Sequence, residues 1–198
     1  MGIIGIFVNN ETFEGLHSFV YETNPGDKNH HENDPECEFE KLFSQWTDVE
    51  YVSNYLLKNK SFCETEYFNG STMDDLIEKV LSEANALEEL IYTYATDGNN
   101  NDDKLQMIFK PLHNNEHLLP VHQKTKAKAS KGGLLRIYAI RLGDNTFIVT
   151  GGAIKLTHLM EEHEDTIKEL EKIETAKKYL RAHDIQFVED LIYYYEPE

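Results

Sequence analysis

The chain has 198 residues, of which 40% are hydrophobic and 28% charged, and its formal net charge is −17. This length fits one domain with a core of modest size. The negative charge excludes binding of nucleic acid or of an anionic membrane over the whole surface, although a local basic site remains compatible with it. No stretch reaches the length of a membrane span, and the first residues lack a signal peptide's basic start and cleavage site.

The cysteine content favours a reduced compartment. Only Cys37 and Cys63 are present, which is too few for a disulfide framework. We therefore expect a cytoplasmic protein that has no contact with a membrane.

The first hundred residues predict a strand pair followed by a helical hairpin. Apolar residues alternate within 3–8 and 16–20, which is typical of strands. The polar, proline-containing segment 23–38 then predicts a loop. Apolar residues spaced by three and four indicate one helix over 39–56 and a second from about 73 to 94.

The second half predicts strands and then helices. Residues 104–113 indicate a strand that is stopped by Pro111, and the basic segment 122–133 is expected to be flexible. Residues 134–157 predict a hairpin that turns at Gly143–Asn145. After Thr157 an apolar stripe predicts a long helix, and a short helix closes the chain.

This element order predicts an α+β fold, in which an antiparallel sheet is preceded by two long helices and a long C-terminal helix packs against it. We divide the chain into residues 1–100, which hold the strand pair and the helical hairpin, and residues 101–198, which hold the antiparallel sheet and the C-terminal helix. Both parts are expected to belong to one compact domain.

Basic residues are concentrated between Lys110 and His158. This section holds eight lysines and arginines against two acidic residues, so its charge is +6 and the rest of the chain carries −23. Such an asymmetry predicts a groove for the phosphates of RNA or DNA. The same pattern also fits lysines that pair with acidic helices of their own domain.

Arg136 and Tyr138 stand two residues apart, so they share one face of the predicted strand. An arginine beside a tyrosine on an open sheet face can hold a phosphate and stack a base. Further along, Gly151 and Gly152 would let a ligand or another backbone approach closely, or they only form a bulge or bend under the last helix.

The hairpin segment "LLRIYAIRLGDNTFIVTGGAIKLT", residues 134–157, resembles the RelE/HigB-like toxins, which are the ribonuclease partners of type II toxin–antitoxin pairs. Leu135-Arg136 and Tyr138 match a leucine–arginine strand of that family. Residues 152–157 match the ending that precedes its C-terminal helix. The likeness extends roughly from Lys104 to Leu180. It implies cleavage of messenger RNA, often on the ribosome, and inhibition by an antitoxin protein.

Metal-free cleavage of RNA needs a base for the 2′-hydroxyl, a cation for the phosphate and an acid for the leaving oxygen. We predict Arg136 for the phosphate charge, and Tyr138 for stacking or proton transfer. The predicted catalytic residues are Arg136, Tyr138, Lys155 and His158. The predicted substrate-binding residues are His122, Lys124, Lys126, Lys128 and Arg141. We predict no cofactor for this endoribonuclease.

A metal site is not predicted either. Residues 30–37 group histidine, carboxylate and cysteine side chains, but their spacing matches no closed zinc site. His158 and His163 are five residues apart and so do not share a helix face as a zinc-binding H-E-x-x-H pair would.

The alternative hypothesis is a non-catalytic protein-interaction module, whose acidic surface or basic segment docks a partner protein. A catalytic site requires Arg136, Tyr138 and a lysine or histidine to converge in a concave, solvent-reachable place. A docking module instead predicts a flat apolar patch and lysines that are already paired with Glu or Asp.

Overall fold

The structure is a computed structural model, and it describes residues 1–21, 36–65, 68, 70–96, 105–112 and 121–196. Within these residues, one sheet of six strands carries helices on both faces. The strands are β1 (Gly2–Val8), β2 (Gly15–Val20), β3 (Lys110–Pro111), β4 (Gln123–Ala127), β5 (Leu135–Arg141) and β6 (Phe147–Ile154). The helices are α1 (Glu38–Thr47), α2 (Val49–Lys58), α3 (Lys60–Cys63), α4 (Met73–Thr96), α5 (Glu164–Ala182) and α6 (Val188–Tyr195).

The sheet has the strand order β1-β2-β6-β5-β4-β3. This architecture confirms the α+β class. The sheet is mixed rather than purely antiparallel, because β2 and β6 run parallel while every other neighbouring pair is antiparallel. A parallel pair needs a long connection. Here that connection contains α1 to α4 and three strands, so strands from both halves of the chain meet in one sheet.

Alternation along β5 separates two apolar cores. Ile137 and its neighbours at odd positions face the core formed with α1, α2 and α4. Tyr138 and Ile140 face the opposite core, which contains residues of α5 and α6 such as Ile173 and Leu191. The long C-terminal helix therefore packs against the sheet, as the sequence predicts.

The helix predicted over residues 39–56 is in fact two helices. The Asp48 side chain accepts hydrogen bonds from the main-chain N–H groups of Glu50 (2.8 Å) and Tyr51 (3.2 Å). Because an aspartate in this position caps a helix start, α1 ends and α2 begins there. The predicted second helix is confirmed as α4.

The basic segment expected to be flexible contains β4. Its buried positions are Gln123, Thr125 and Ala127, and they alternate with lysines. Polar and small residues on the buried face hide the usual apolar alternation, so the prediction was wrong here. The strand predicted over 104–113 is reduced to a 3₁₀ turn at Leu105–Met107 and the two residues of β3, and positions 104 and 113 lie outside the described residues.

The predicted hairpin is confirmed as β5 and β6, and its glycines form a bulge. Tyr138 is opposite Gly151, whereas Ala139 is opposite Val149, so β6 has one extra residue. A Cβ atom on Gly151 would overlap the carboxylate of Glu169 on α5. The alternative of a bulge under the last helix is therefore confirmed.

Helix α6 returns to the first strands. The main-chain N–H of Ile3 donates to the Tyr194 hydroxyl at 3.1 Å. A ring nitrogen of the buried His17 lies 2.9 Å from the Tyr195 hydroxyl. These contacts join β1 and β2 to the C-terminal helix.

Three further expectations are settled only in part. Most of the loop predicted over 23–38 lies outside the described residues. Cys37 and Cys63 are buried and free. Among the helices of the described part, none combines the length and the apolar character needed to cross a bilayer.

Candidate nucleic-acid interface

Three adjacent strands bring the predicted basic residues to one side of the sheet. Lys126 on β4 is opposite Tyr138 on β5, and Arg136 on β5 is opposite Ala153 on β6. Lys155 follows directly after β6. Because these positions alternate toward the same face, side chains far apart in sequence become neighbours.

These side chains line a cavity of about 390 Å³, which we call the basic pocket. Six of the nine predicted site residues are in its wall: Lys126, Lys128, Arg136, Tyr138, Lys155 and His158. Leu112, Leu170 and residues 159–161 complete the described wall. Among the described residues that line it, Glu161 is the one carboxylate against four lysine and arginine cations. The pocket is therefore concave and strongly positive.

Main-chain carbonyls, rather than carboxylates, hold three of these cations. None of the four forms an ion pair with another described residue. A carbonyl satisfies a donor without cancelling its charge, so the pocket keeps its positive potential. The bonds are Lys126 Nζ to Leu112 O (3.0 Å), Arg136 Nη1 to Gly133 O and Leu135 O (both 2.7 Å), and Lys155 Nζ to Thr157 O and His158 O (both 2.5 Å).

Burial and the crowding of like charges change the titration of two lysines. Burial lowers the pKa of Lys126, and the nearby charges of Arg136 and Lys128 lower it further. Burial and the charge of Arg136 also lower the pKa of Lys155, against a smaller opposing effect of Glu162. An amine whose pKa is lowered loses its proton more readily and can then act as a base.

Tyr138 belongs to the wall of the basic pocket but is fully buried. Helix α5 covers the sheet face that the sequence suggested would be open, so the ring offers no exposed surface on which a base could stack. The hydroxyl has no hydrogen-bond partner among the described residues. Burial raises the pKa of Tyr138, which keeps the phenol protonated.

His158 lies at the rim, where it is exposed. Its carbonyl oxygen accepts the hydrogen bond from Lys155, so the two residues are held together. An imidazole at this place can reach a ligand in the pocket and can donate or accept a hydrogen bond there.

Three predicted residues lie elsewhere. Lys124 pairs with Glu174 on α5. His122 and Arg141 line a separate depression of about 170 Å³. His122 is buried with Nε2 2.7 Å from the carbonyl oxygen of Ile185, and burial lowers its pKa. Arg141 pairs with Asp144 at 2.8 Å. The structure does not bring these three side chains to the basic pocket.

Sequence reasoning missed a carboxylate that supports the site. Glu83 is buried on α4 and accepts hydrogen bonds from the main-chain N–H groups of Leu134 (2.5 Å) and Leu135 (3.0 Å). It thereby fixes the start of β5, next to the Gly133 carbonyl that holds Arg136. Its spacing from Val80 and Leu87 puts Glu83 on the apolar stripe, and that position was an available signal.

No group of three or more potential metal-ligating side chains occurs among the described residues. Comparisons with family models, with curated proteins and with solved structures find no match to this chain. The resemblance to the RelE/HigB-like toxins therefore stays a prediction that depends on the residues quoted above.

Proposed function

We propose that the protein is a cytoplasmic endoribonuclease of the toxin-like kind, which binds RNA phosphate in the basic pocket and cleaves messenger RNA without a metal. One observation carries this proposal. In a chain with a net charge of −17, Lys126, Lys128, Arg136 and Lys155 line one cavity, and none of them has an ion-pair partner among the described residues. A phosphate supplies the missing countercharge.

The roles follow from the surroundings of each group. Arg136 offers the phosphate the rigid set of donors of a guanidinium group. Lys126 or Lys155, with its lowered pKa, takes the proton of the 2′-hydroxyl, which then attacks the adjacent phosphorus. His158 at the rim gives a proton to the leaving 5′-oxygen. Tyr138, buried and kept protonated, neither stacks a base nor takes the proton in this proposal, and it serves only as part of the pocket wall.

The partners in this proposal are RNA, free or bound to the ribosome, and an inhibitory antitoxin protein. An antitoxin that silences the enzyme would present acidic side chains to the basic pocket, since these would displace RNA phosphate.

The decisive experiment is induced expression in a bacterium, with growth and messenger-RNA 5′ ends followed for the wild type and for Arg136→Ala. The wild type should arrest growth and create new RNA ends, and Arg136→Ala should abolish both. Lys128→Ala tests the same pocket at an exposed position with little risk to folding. Lys131→Ala, also exposed but outside the pocket, is the matched control. Normal growth with unchanged RNA at good wild-type expression contradicts the proposal.

A non-catalytic interaction module is the second candidate. Lys124 and Arg141 favour it, because both are already paired with carboxylates of their own chain. Beside Arg141, the separate depression is lined by Val121 and Phe187, whose side chains are exposed. In that case Arg136→Ala leaves cell growth unaffected, and a bound partner protein is lost when Phe187→Ala is introduced.

A further inference from the structure

A second and larger cavity, of about 540 Å³, lies at an edge of β6. β2 pairs with β6 only as far as Val149, so no described strand covers the following residues on that side. The Tyr21 hydroxyl donates to the Thr150 carbonyl at 3.0 Å, and the Tyr55 hydroxyl oxygen lies 3.4 Å from the Ile154 carbonyl oxygen. The backbone between these two points lines the cavity.

A buried indole lies against this backbone. A Cβ atom on Gly152 would be 2.7 Å from a ring carbon of Trp46, so only glycine at this position lets the indole approach the strand. Trp46 itself is 2% exposed and lines the cavity, which we call the Trp46 pocket.

A buried acid stands in the wall of the Trp46 pocket. The Glu169 side chain is 8% exposed. One carboxyl oxygen is 2.9 Å from the Lys172 ammonium, and the other has no hydrogen-bond partner among the described residues. Burial raises the pKa of Glu169 to about 7. Near neutral pH this carboxyl therefore exists in a form that donates and a form that accepts a hydrogen bond.

The acids of the pocket do not favour a cationic ligand. The Lys172 ammonium lies between Glu38 (2.7 Å) and Glu169 (2.9 Å), and Lys41 also pairs with Glu38 at 3.4 Å, so each of the two acids already has a cation beside it. A metal ion or an amine would have to displace it. The Glu169 oxygen without a partner is buried against Gly151, so a ligand reaches it only when the side chain turns toward the cavity. A neutral polar group then matches it better than a cation.

A flat aromatic wall stands in the same pocket. The rings of Tyr51 and Tyr55 are within 15° of parallel, with centroids 6.4 Å apart. The Tyr55 hydroxyl is fixed by a 3.0 Å hydrogen bond to Asp165, while Tyr51 is 36% exposed. Such a wall can stack a planar ring. Lys41 and Lys58 also line the pocket and offer charge to an anionic group.

We propose that the Trp46 pocket binds a nucleotide. Its base stacks on Tyr51 and directs polar edge atoms to Glu169, and its phosphate contacts Lys41 and Lys58. The choice of a nucleobase among planar heteroaromatic rings rests on the RNA-binding function proposed above. The nucleotide belongs either to the bound RNA strand or to the pool of free nucleotides.

Intrinsic fluorescence tests this proposal in the full chain, because Trp46 is its single tryptophan. The protein is titrated with AMP, GMP, CMP and UMP, and with ribose 5-phosphate as the probe that lacks a base. We expect a saturable change with at least one of the four and none with ribose 5-phosphate. Tyr51→Ala should weaken binding about tenfold through the lost stacking. The control Tyr193→Ala, at a 71% exposed tyrosine outside the pocket, should leave it unchanged.

Two results overturn the proposal: no saturable change with any of the four nucleotides, or an equal change with ribose 5-phosphate. If a short single-stranded RNA binds more tightly than the mononucleotides, the site belongs to the RNA strand, and otherwise it belongs to a free nucleotide. The readout does not depend on RNA cleavage. If the protein cleaves RNA but its fluorescence does not respond to nucleotides, only this inference is contradicted. If it binds nucleotides but does not cleave RNA, only the proposed function is contradicted.

Discussion

The carboxylate of Glu83 accepts a hydrogen bond from the main-chain N–H of Leu134 at 2.5 Å. The two residues are 51 positions apart, and this contact joins the middle of α4 to the start of β5. The Arg136 guanidinium donates to the carbonyl oxygen of Gly133, next to Leu134. A buried acid on one face of the sheet thus orients a cation that serves a pocket on the other face.

Glu83→Ala should destabilise the fold and weaken RNA binding. The substitution leaves the main-chain N–H groups of Leu134 and Leu135 buried without their acceptor, which costs about 2–4 kcal/mol. Denaturant unfolding measures the loss. The control Glu88→Ala, at an exposed position of α4, should stay within about 0.5 kcal/mol of the wild type. Equal stability of the two variants would show that the Glu83 contacts contribute nothing.

Lys128→Ala should reduce the salt dependence of RNA binding. Each phosphate contact on a single strand contributes about 0.7 to the slope of log affinity against log salt concentration, so the slope should fall by about that amount. Fluorescence anisotropy of a labelled RNA, measured over a salt series, gives the slope. Lys131→Ala should keep the wild-type slope, and a common change in both variants would mean that the basic pocket has no special part in binding.

Glu169 should make the protein less stable as the pH rises. The folded protein keeps the Glu169 proton up to about pH 7, whereas the unfolded chain loses it near the ordinary value of 4.5. Between these values the folded state binds more protons, so the free energy of unfolding falls with rising pH, by up to about 3 kcal/mol. Glu169→Gln removes this contribution. We therefore expect the free energies of unfolding of the wild type and Glu169→Gln, plotted against pH, to converge or cross. Parallel plots would refute the assignment.

His17 should make the protein less stable as the pH falls. Burial lowers the pKa of His17 to about 4 from its ordinary 6.5, so below pH 6.5 the unfolded chain binds a proton that the folded protein does not. Stability should fall by up to about 3 kcal/mol as the pH drops from 6.5 to 4. In His17→Gln the decline over this range should be smaller, as measured by denaturant unfolding. An unchanged decline would assign acid sensitivity to other groups.

The sequence predicted the parts of the fold whose patterns are local. The alternation in residues 135–141 and the apolar stripe of α4 identify a strand and a helix without further information. β4 was not predicted, because its buried side chains, Gln123, Thr125 and Ala127, are polar or small and show no apolar alternation. The end of α1 at Asp48 was not predicted either, because the spacing of apolar residues continues from α1 through Asp48 into α2.

Likewise, only some of the relations between the candidate site residues could be predicted from the sequence. Charge alone grouped Arg136 with Lys126 and Lys155. Strand alternation could not place Lys126, because the segment that forms β4 was predicted to be flexible. The separation of Lys124 could not be foreseen, because it depends on which residue of α5 faces β4. The burial of Glu169 could not be foreseen either, because it results from the packing of α5 and α1 on either side of β6.

The hydrogen bond between Ile3 and Tyr194 has a consequence for the order of folding. The two residues are 191 positions apart, so β1 cannot reach its final surroundings until residue 194 has been synthesised. During translation, the side of the β1–β2 hairpin that packs on α6 therefore stays uncovered until the intervening residues have been synthesised. A long-range contact of this kind slows folding and prolongs exposure of apolar surface to other chains.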